Sequence, residues 1–309
     1  MGADLDPSIG VRLDQSPVLA EPHRTVERLT GGLTNQNFVV STGAGRFVAR
    51  LAGQSSELLA IDRDAEYRNC LAAAATGIAP AVIDYRPAAG VLVVQFLSGR
   101  TLTESDVRDA AMVHRIASAC RTLHSAPRFV SDFDMFSVQR RYLNTAQRLG
   151  LRLPDGYTDF MSQVHGLHSV LAVRPSGPGT VPCHNDLLAE NIIDDGDRLW
   201  IIDYEYSGNN DPCFELGNVA SESHLPTELL VELVDAYFGR HDRQLIARTQ
   251  LQQVMSQYGW TLWGVIQKAA STLDVDFWAW SMDKYERAAA TLSGDHFDRL
   301  VLACCTTDP

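Results

Sequence analysis

The chain has 309 residues, 45% of them hydrophobic, and a formal net charge of −12. That length is at the upper edge for one core, so two lobes are expected, and the composition suits a globular protein with a large interior. The negative charge argues against nucleic acid and anionic membrane surfaces as partners, and it is compatible with a cationic small-molecule substrate.

The opening residues, Met1 to Asp6, carry no basic or apolar run, so no signal peptide is expected, and residues 1–20 read as irregular. Residues 26–51 read as strands around turns. Gly31-Gly32-Leu33-Thr34-Asn35-Gln36-Asn37 precedes the strand Phe38-Val39-Val40. Glycines and small polar side chains there let backbone N–H groups approach phosphates closely. A second turn, Thr42-Gly43-Ala44-Gly45, leads into residues 46–51. Alternation puts Phe47, Ala49 and Leu51 on one face and Arg46, Val48 and Arg50 on the other. Residues 56–76 read as a helix that carries Glu66 and ends at Gly77 and Pro80. Residues 82–85 and 91–96 read as the last strands of a small lobe, and Gln95-Phe96-Leu97-Ser98-Gly99 as the hinge. The longest apolar stretch, Val91 to Leu97 broken by Gln95, is far too short to span a bilayer.

From Thr101 onward the pattern is mostly helical. Thr103, with Asp106 three residues on, is a helix cap. Val107, Ala110, Val113, Ala117, Cys120 and Leu123 then recur at helical spacing up to His124, which anchors the helix end. Residues 174–179 form a loop, and residues 229–238 another amphipathic helix. The six cysteines show no CxxC pair and no zinc spacing, so reduced thiols in a cytoplasmic protein are expected.

Two clusters carry chemistry. The first is Cys183-His184-Asn185-Asp186-Leu187-Leu188-Ala189-Glu190-Asn191, followed by Ile201-Ile202-Asp203-Tyr204-Glu205. Phosphoryl transfer needs one carboxylate to orient and deprotonate a hydroxyl, and oxygen ligands to hold Mg²⁺ against the phosphates. Asp186, Asn191 and Asp203 have that spacing. Asp195-Gly196 reads as a two-residue hairpin turn that brings Asn191 and Asp203 to the same open end. The second cluster is aromatic: Tyr258-Gly259-Trp260-Thr261-Leu262-Trp263, then Phe277-Trp278-Ala279-Trp280. Four of the five tryptophans fall within 21 positions. A quaternary ammonium has no N–H to donate, and ring faces hold it instead, at about 0.5–2 kcal/mol per contact.

His184-Asn185-Asp186 with Asn191, Asp203-Tyr204-Glu205-Tyr206-Ser207-Gly208, Asp211-Pro212 and Phe214-Glu215-Leu216-Gly217-Asn218 resemble the choline/ethanolamine kinase branch of the aminoglycoside-phosphotransferase-like kinases. Aminoglycoside kinases more often show His-Gly-Asp in the first motif. The resemblance runs from about residue 31 to 286 and is most specific over 183–222. It implies an α+β, bilobal protein-kinase-like fold. Residues 1–97 would form an N-terminal nucleotide-binding lobe, a small antiparallel sheet plus one helix. Residues 98–309 would form a larger, mostly helical catalytic and substrate-binding lobe.

The same resemblance implies ATP- and Mg²⁺-dependent phosphorylation of a small amino alcohol, choline or ethanolamine. Asp186 would be the base. Asn191 and Asp203 would hold Mg²⁺, and Glu205 a second ion. Gly32, Thr34 and Asn35 would meet the phosphates, Arg50 would steady them while paired with Glu66, and the backbone at Gln95 and Leu97 would read the nucleobase. Tyr206, Glu222, Trp260, Trp263, Phe277 and Trp280 would wall the amine, with Glu222 adding negative charge. Phe277 and Trp280 stand where the family often has Tyr. Kinases of thiamine, an aminoglycoside, a methylthio-sugar or an amino sugar are the alternatives, and the tryptophans weigh against the aminoglycoside. From another class, a non-catalytic nucleotide- or amine-binding module is the rival, and the presence of Asp186, Asn191 and Asp203 weighs against it. Beyond the small-molecule acceptor no nucleic-acid or membrane partner is expected, and the residues carry no signal for an oligomeric state.

Overall fold

Asp6-Pro7 is a helix start: a carboxylate that can accept from a first-turn N–H, then a proline that needs no donor. In the computed structural model, which describes residues 6–53, 58–173 and 179–306, helix α1 (Pro7–Leu13) begins there, with the Asp6 side chain accepting from the Ser8 N–H. This corrects the expectation of an irregular start. Ile9, Leu13 and Leu19 cover one face of a sheet by packing on Phe38, Val40, Ala49, Leu51, Val91 and Val93. Arg12 donates to the carbonyls of Ala52, Ala89 and Gly90, fixing α1 across the sheet edge.

That sheet contains β1 (Thr25–Arg28), β2 (Asn35–Thr42), β3 (Gly45–Ala52), β4 (Val82–Arg86) and β5 (Val91–Gln95), all antiparallel in the order β1-β2-β3-β5-β4. Ala49 and Leu51 face α1, as the alternation in β3 requires, and Arg50 points the other way, toward helix α2 (Arg63–Ala74). That helix starts later than the expected residue 56, part of a stretch outside the described residues. Ala60 has φ +62°, incompatible with a continuing helix, and Asp62 caps the true first turn through the Asp64 and Ala65 N–H groups.

The next strand, β6 (Arg100–Thr101), pairs with a different sheet. Thr103 and Asp106 form a capping box at α3 (Glu104–Val107), but Asp109 caps anew, so the run to His124 is broken into α3 and α4 (Ala110–His124). After α5 (Met135–Arg148) and α6 (Met161–Ala172), the loop expected at 174–179 lies, apart from Gly179, outside the described residues. Strands β7 (Val181–Cys183), β8 (Ile192–Asp194), β9 (Leu199–Ile201) and β10 (Gly208–Asn210) follow. Strands β8 and β9 form the expected hairpin, with one shift. The Asp195 N–H donates to Arg198, so the two turn residues are Gly196 and Asp197, with Gly196 at φ +97°. The pairing still places Asn191 opposite Ile202, next to Asp203.

The chain ends in α7 (Pro212–Glu222), α8 (Thr227–Phe238), α9 (Arg243–Ala270), α10 (Phe277–Leu292) and α11 (Asp295–Cys305). Helix α9 is buried along most of its length and forms the axis on which α5, α7, α10 and α11 pack. At Gly217 the backbones of α7 and α9 nearly touch: a Cβ there would sit 2.7 Å from Gln253 N and Thr249 O. Backbone cannot yield as a side-chain tip does, so Gly217→Ala is expected to destabilise the fold by about 1–3 kcal/mol, read as a lowered urea midpoint with an unchanged slope.

Candidate active site

The loop after β7 is held by a buried carboxylate. Glu215, in the first turn of α7, accepts from the backbone N–H of His184 and of Asn185, both at 2.7 Å. Burial opposes its ionised form, but His124 and the His184 backbone outweigh that and keep it below the usual carboxylate range. Asn185 adopts φ +68°, and its side chain donates to Tyr206 O at 3.0 Å and accepts from Asn210 Nδ2 at 2.9 Å. His184 Nε2 donates to the Ile202 carbonyl at 2.8 Å, which leaves Nδ1 to accept from the Asp186 N–H at 3.3 Å. Leu187 N–H donates to Asn218 Oδ1. Asp186 sits between these anchors.

Asn191 Nδ2 donates to the Asp186 carbonyl at 2.9 Å, which leaves the amide oxygen for a cation. Asp203, at φ +69°, is ion-paired to Arg50. Burial raises its carboxyl and Arg50 lowers it, with a net lowering. Arg50 also meets Glu66 at 3.0 Å, so the expected pair forms. Arg63 joins Glu66 at 2.7 Å to Glu205 at 3.2 Å. Glu205 further accepts from Thr34 Oγ1 at 2.7 Å and Asn35 Nδ2 at 2.9 Å, so these two loop side chains, expected at the phosphates, are bound to it. Burial and the neighbouring Asp203 push Glu205 up to about 7. Burial, then Glu222, Glu205 and Asp203, raise Asp186 well above the ordinary range. Asp203 and Glu205, whose charges raise Asp186, lie beside the Asn191 amide oxygen, and such oxygens are a donor set for a hard divalent cation. Gly32 lies under this loop, where a Cβ would strike Asn35 O at 2.5 Å.

The aromatic residues do converge. Trp263 Nε1 donates to Tyr206 Oη at 2.9 Å, and the Trp263 ring stands 5.1 Å from Trp280 and 5.8 Å from Phe277. Trp260 meets Tyr206 edge-on at 4.9 Å, and its buried Nε1 has no hydrogen-bond partner among the described residues. Trp278 instead takes the Arg152 guanidinium, and Trp200 that of Arg198.

One expectation needs correction. Glu222 brings no net charge, because both its oxygens meet Lys284 Nζ, at 2.7 and 2.6 Å. The Gln95 N–H donates to Ala81 O, and its side chain accepts from Ala81 N, so its backbone N–H is spent in closing the sheet. Leu97 lies just past β5, in the segment between the two sheets. Two residues of the site, Arg63 and Lys284, are absent from the sequence reading, and Glu215 stands there within a motif without a role of its own. Arg63 and Lys284 had a signal, at i−3 from Glu66 and i+4 from Trp280.

The profile of the choline/ethanolamine kinase family matches residues 26–228. The chain belongs to that family. Family members are phosphotransferases with an alcohol acceptor. The chain is similar to protein LicA of Haemophilus influenzae, 29% identical over 67% of this chain and 61% of LicA, and so spans less than two thirds of that protein. It is similar to ethanolamine kinase 1 of Mus musculus, 26% identical over 85% of this chain and 82% of that one. The solved choline/ethanolamine kinase family protein of Mesorhizobium loti superposes with a TM-score of 0.82 at 33% identity, covering 96% of this chain and 98% of that one.

In this family member, Glu205 makes folding pH-dependent. With its carboxyl raised to about 7, the native state keeps a proton that the unfolded chain has released. Stability is therefore expected to fall as pH rises from the ordinary carboxylate range through about 7. In Glu205→Gln that slope flattens, which thermal unfolding of both proteins between about pH 5 and pH 8 will register.

Proposed function

We propose that the chain is an ATP- and Mg²⁺-dependent kinase that phosphorylates the hydroxyl of choline or ethanolamine. What supports this reading is the surroundings of Asp186: the oxygen donors Asn191, Asp203 and Glu205, and the Glu222–Lys284 pair beside the packed rings of Trp263 and Trp280. We read residues 1–97 as the nucleotide lobe and 98–309 as the catalytic lobe. A bound Mg²⁺ would offset charge on the phosphates.

Every other role falls to this chain's own side chains. Arg50, oriented by Glu66, presents a guanidinium toward the cleft, where its planar fork suits phosphate oxygens. Tyr206, Trp263, Phe277 and Trp280 hold the amine end so that the hydroxyl lies at Asp186. Asp186 accepts the hydroxyl proton as the new O–P bond forms and the ADP oxygen departs. Burial and like charges raise its proton affinity, which suits a base that takes the proton late. No described helix is long and apolar enough to cross a membrane. All six cysteines are free, which supports a reducing, cytoplasmic setting.

ADP release assayed against choline, ethanolamine, thiamine and kanamycin tests the reading, and turnover with choline or ethanolamine alone is expected. Asp186→Asn should lower kcat by about 10²- to 10⁴-fold with little change in KM. Trp280→Ala should raise KM for the amine about tenfold and leave KM for ATP unchanged. Equal losses for both substrates in Trp280→Ala would refute the amine-site assignment.

A further inference from the structure

The amine site already contains a cation. Lys284 lies one turn beyond Trp280 on α10, and its Nζ stands 4.2 Å over the Trp280 ring while donating to both oxygens of Glu222. Only 3% of its side chain is exposed. A carboxylate and an indole face are what a substrate ammonium would seek there. The neighbouring rings of Trp263, Phe277 and Trp280 lie against one another, and none of them lines the cleft of about 390 Å³ between α2 and α5. The position is also unusual for this chain, which has two lysines, Lys268 and Lys284, and arginine at every other basic site. A guanidinium is a wide planar fork, whereas an ammonium is compact and carries three donors.

We propose that Lys284 is a specificity-determining residue: its ammonium occupies the place between Glu222 and Trp280, and an acceptor's ammonium binds by displacing it. This rests on the amino-alcohol reading of the site. Displacement differs between two classes of acceptor. A primary ammonium can restore at Glu222 the hydrogen bonds that Lys284 gives up. A quaternary ammonium has no donor, so the buried carboxylate loses its partners while the displaced lysine remains a nearby like charge. Lys284 therefore disfavours quaternary heads and favours primary ones.

Two head-group probes, tetramethylammonium and methylammonium, test this by tryptophan fluorescence on the full chain. In Lys284→Gln the amide still donates to Glu222 but carries no charge. Tetramethylammonium is expected to bind about tenfold more tightly to it than to the unsubstituted protein, with a smaller change for methylammonium. If Lys284→Gln does not fold, as judged by thermal unfolding, the neutral double variant Glu222→Gln/Lys284→Met removes the buried pair as a unit, and the same tightening is expected. Tetramethylammonium affinity unchanged or weakened in a folded variant, or no binding of either probe to any of these proteins, overturns the proposal. A probe shift without turnover of choline or ethanolamine upholds the role of Lys284 and removes the kinase substrate. Turnover without a probe shift does the reverse.

Discussion

The buried Glu215 carboxylate is the constraint on which the site depends. Two consecutive backbone N–H groups, those of His184 and Asn185, point into it from a loop with a left-handed residue at Asn185. A non-glycine residue at positive φ costs of order 1 kcal/mol or more, and it persists because both flanking amides and the Asn185 side chain are fixed. Asp211 caps the helix that carries Glu215 and is itself paired with Arg248 of α9. The chain of support thus runs from the buried axis of the large lobe, through α7, to the backbone of Asp186.

A second layer of order is electrostatic. Asp203, Glu205 and Glu66 would repel one another if left bare in a low-dielectric cleft. Arg50 and Arg63 lie between them and tie α2 to the segment after β9. Asn69 extends that tie by donating to Ser207 and accepting from Val130 N–H. Helix α2 is thereby fixed against the segments around Val130 and residues 203–207 by polar bonds along much of its length.

How much of this was legible in sequence follows from the range of each signal. The β3 alternation, the Thr103–Asp106 cap and the Asp186-Asn191-Asp203 spacing are local or depend on one hairpin, and they read through. The α1 start is equally local, in Asp6-Pro7, but a helix of seven residues is too short for a hydrophobic period to show. The break at Asp109 was hidden because hydrophobic spacing continues smoothly through it. Glu222 was misjudged for a different reason. Its charge is cancelled by a residue 62 positions away, and one-dimensional spacing cannot show which cation a fold brings to a carboxylate. The same holds for Thr34 and Asn35, whose partner Glu205 lies across the lobes.

That last contact has a consequence for the working cycle. Thr34 and Asn35 donate to Glu205, the carboxylate proposed to meet a divalent ion beside Asp203. One carboxylate cannot serve Thr34, Asn35 and a hydrated cation equally well, so a cation bound there would replace internal bonds with its own. Cation affinity and the tie between the start of β2 and the turn after β9 would then be linked, each weakening the other.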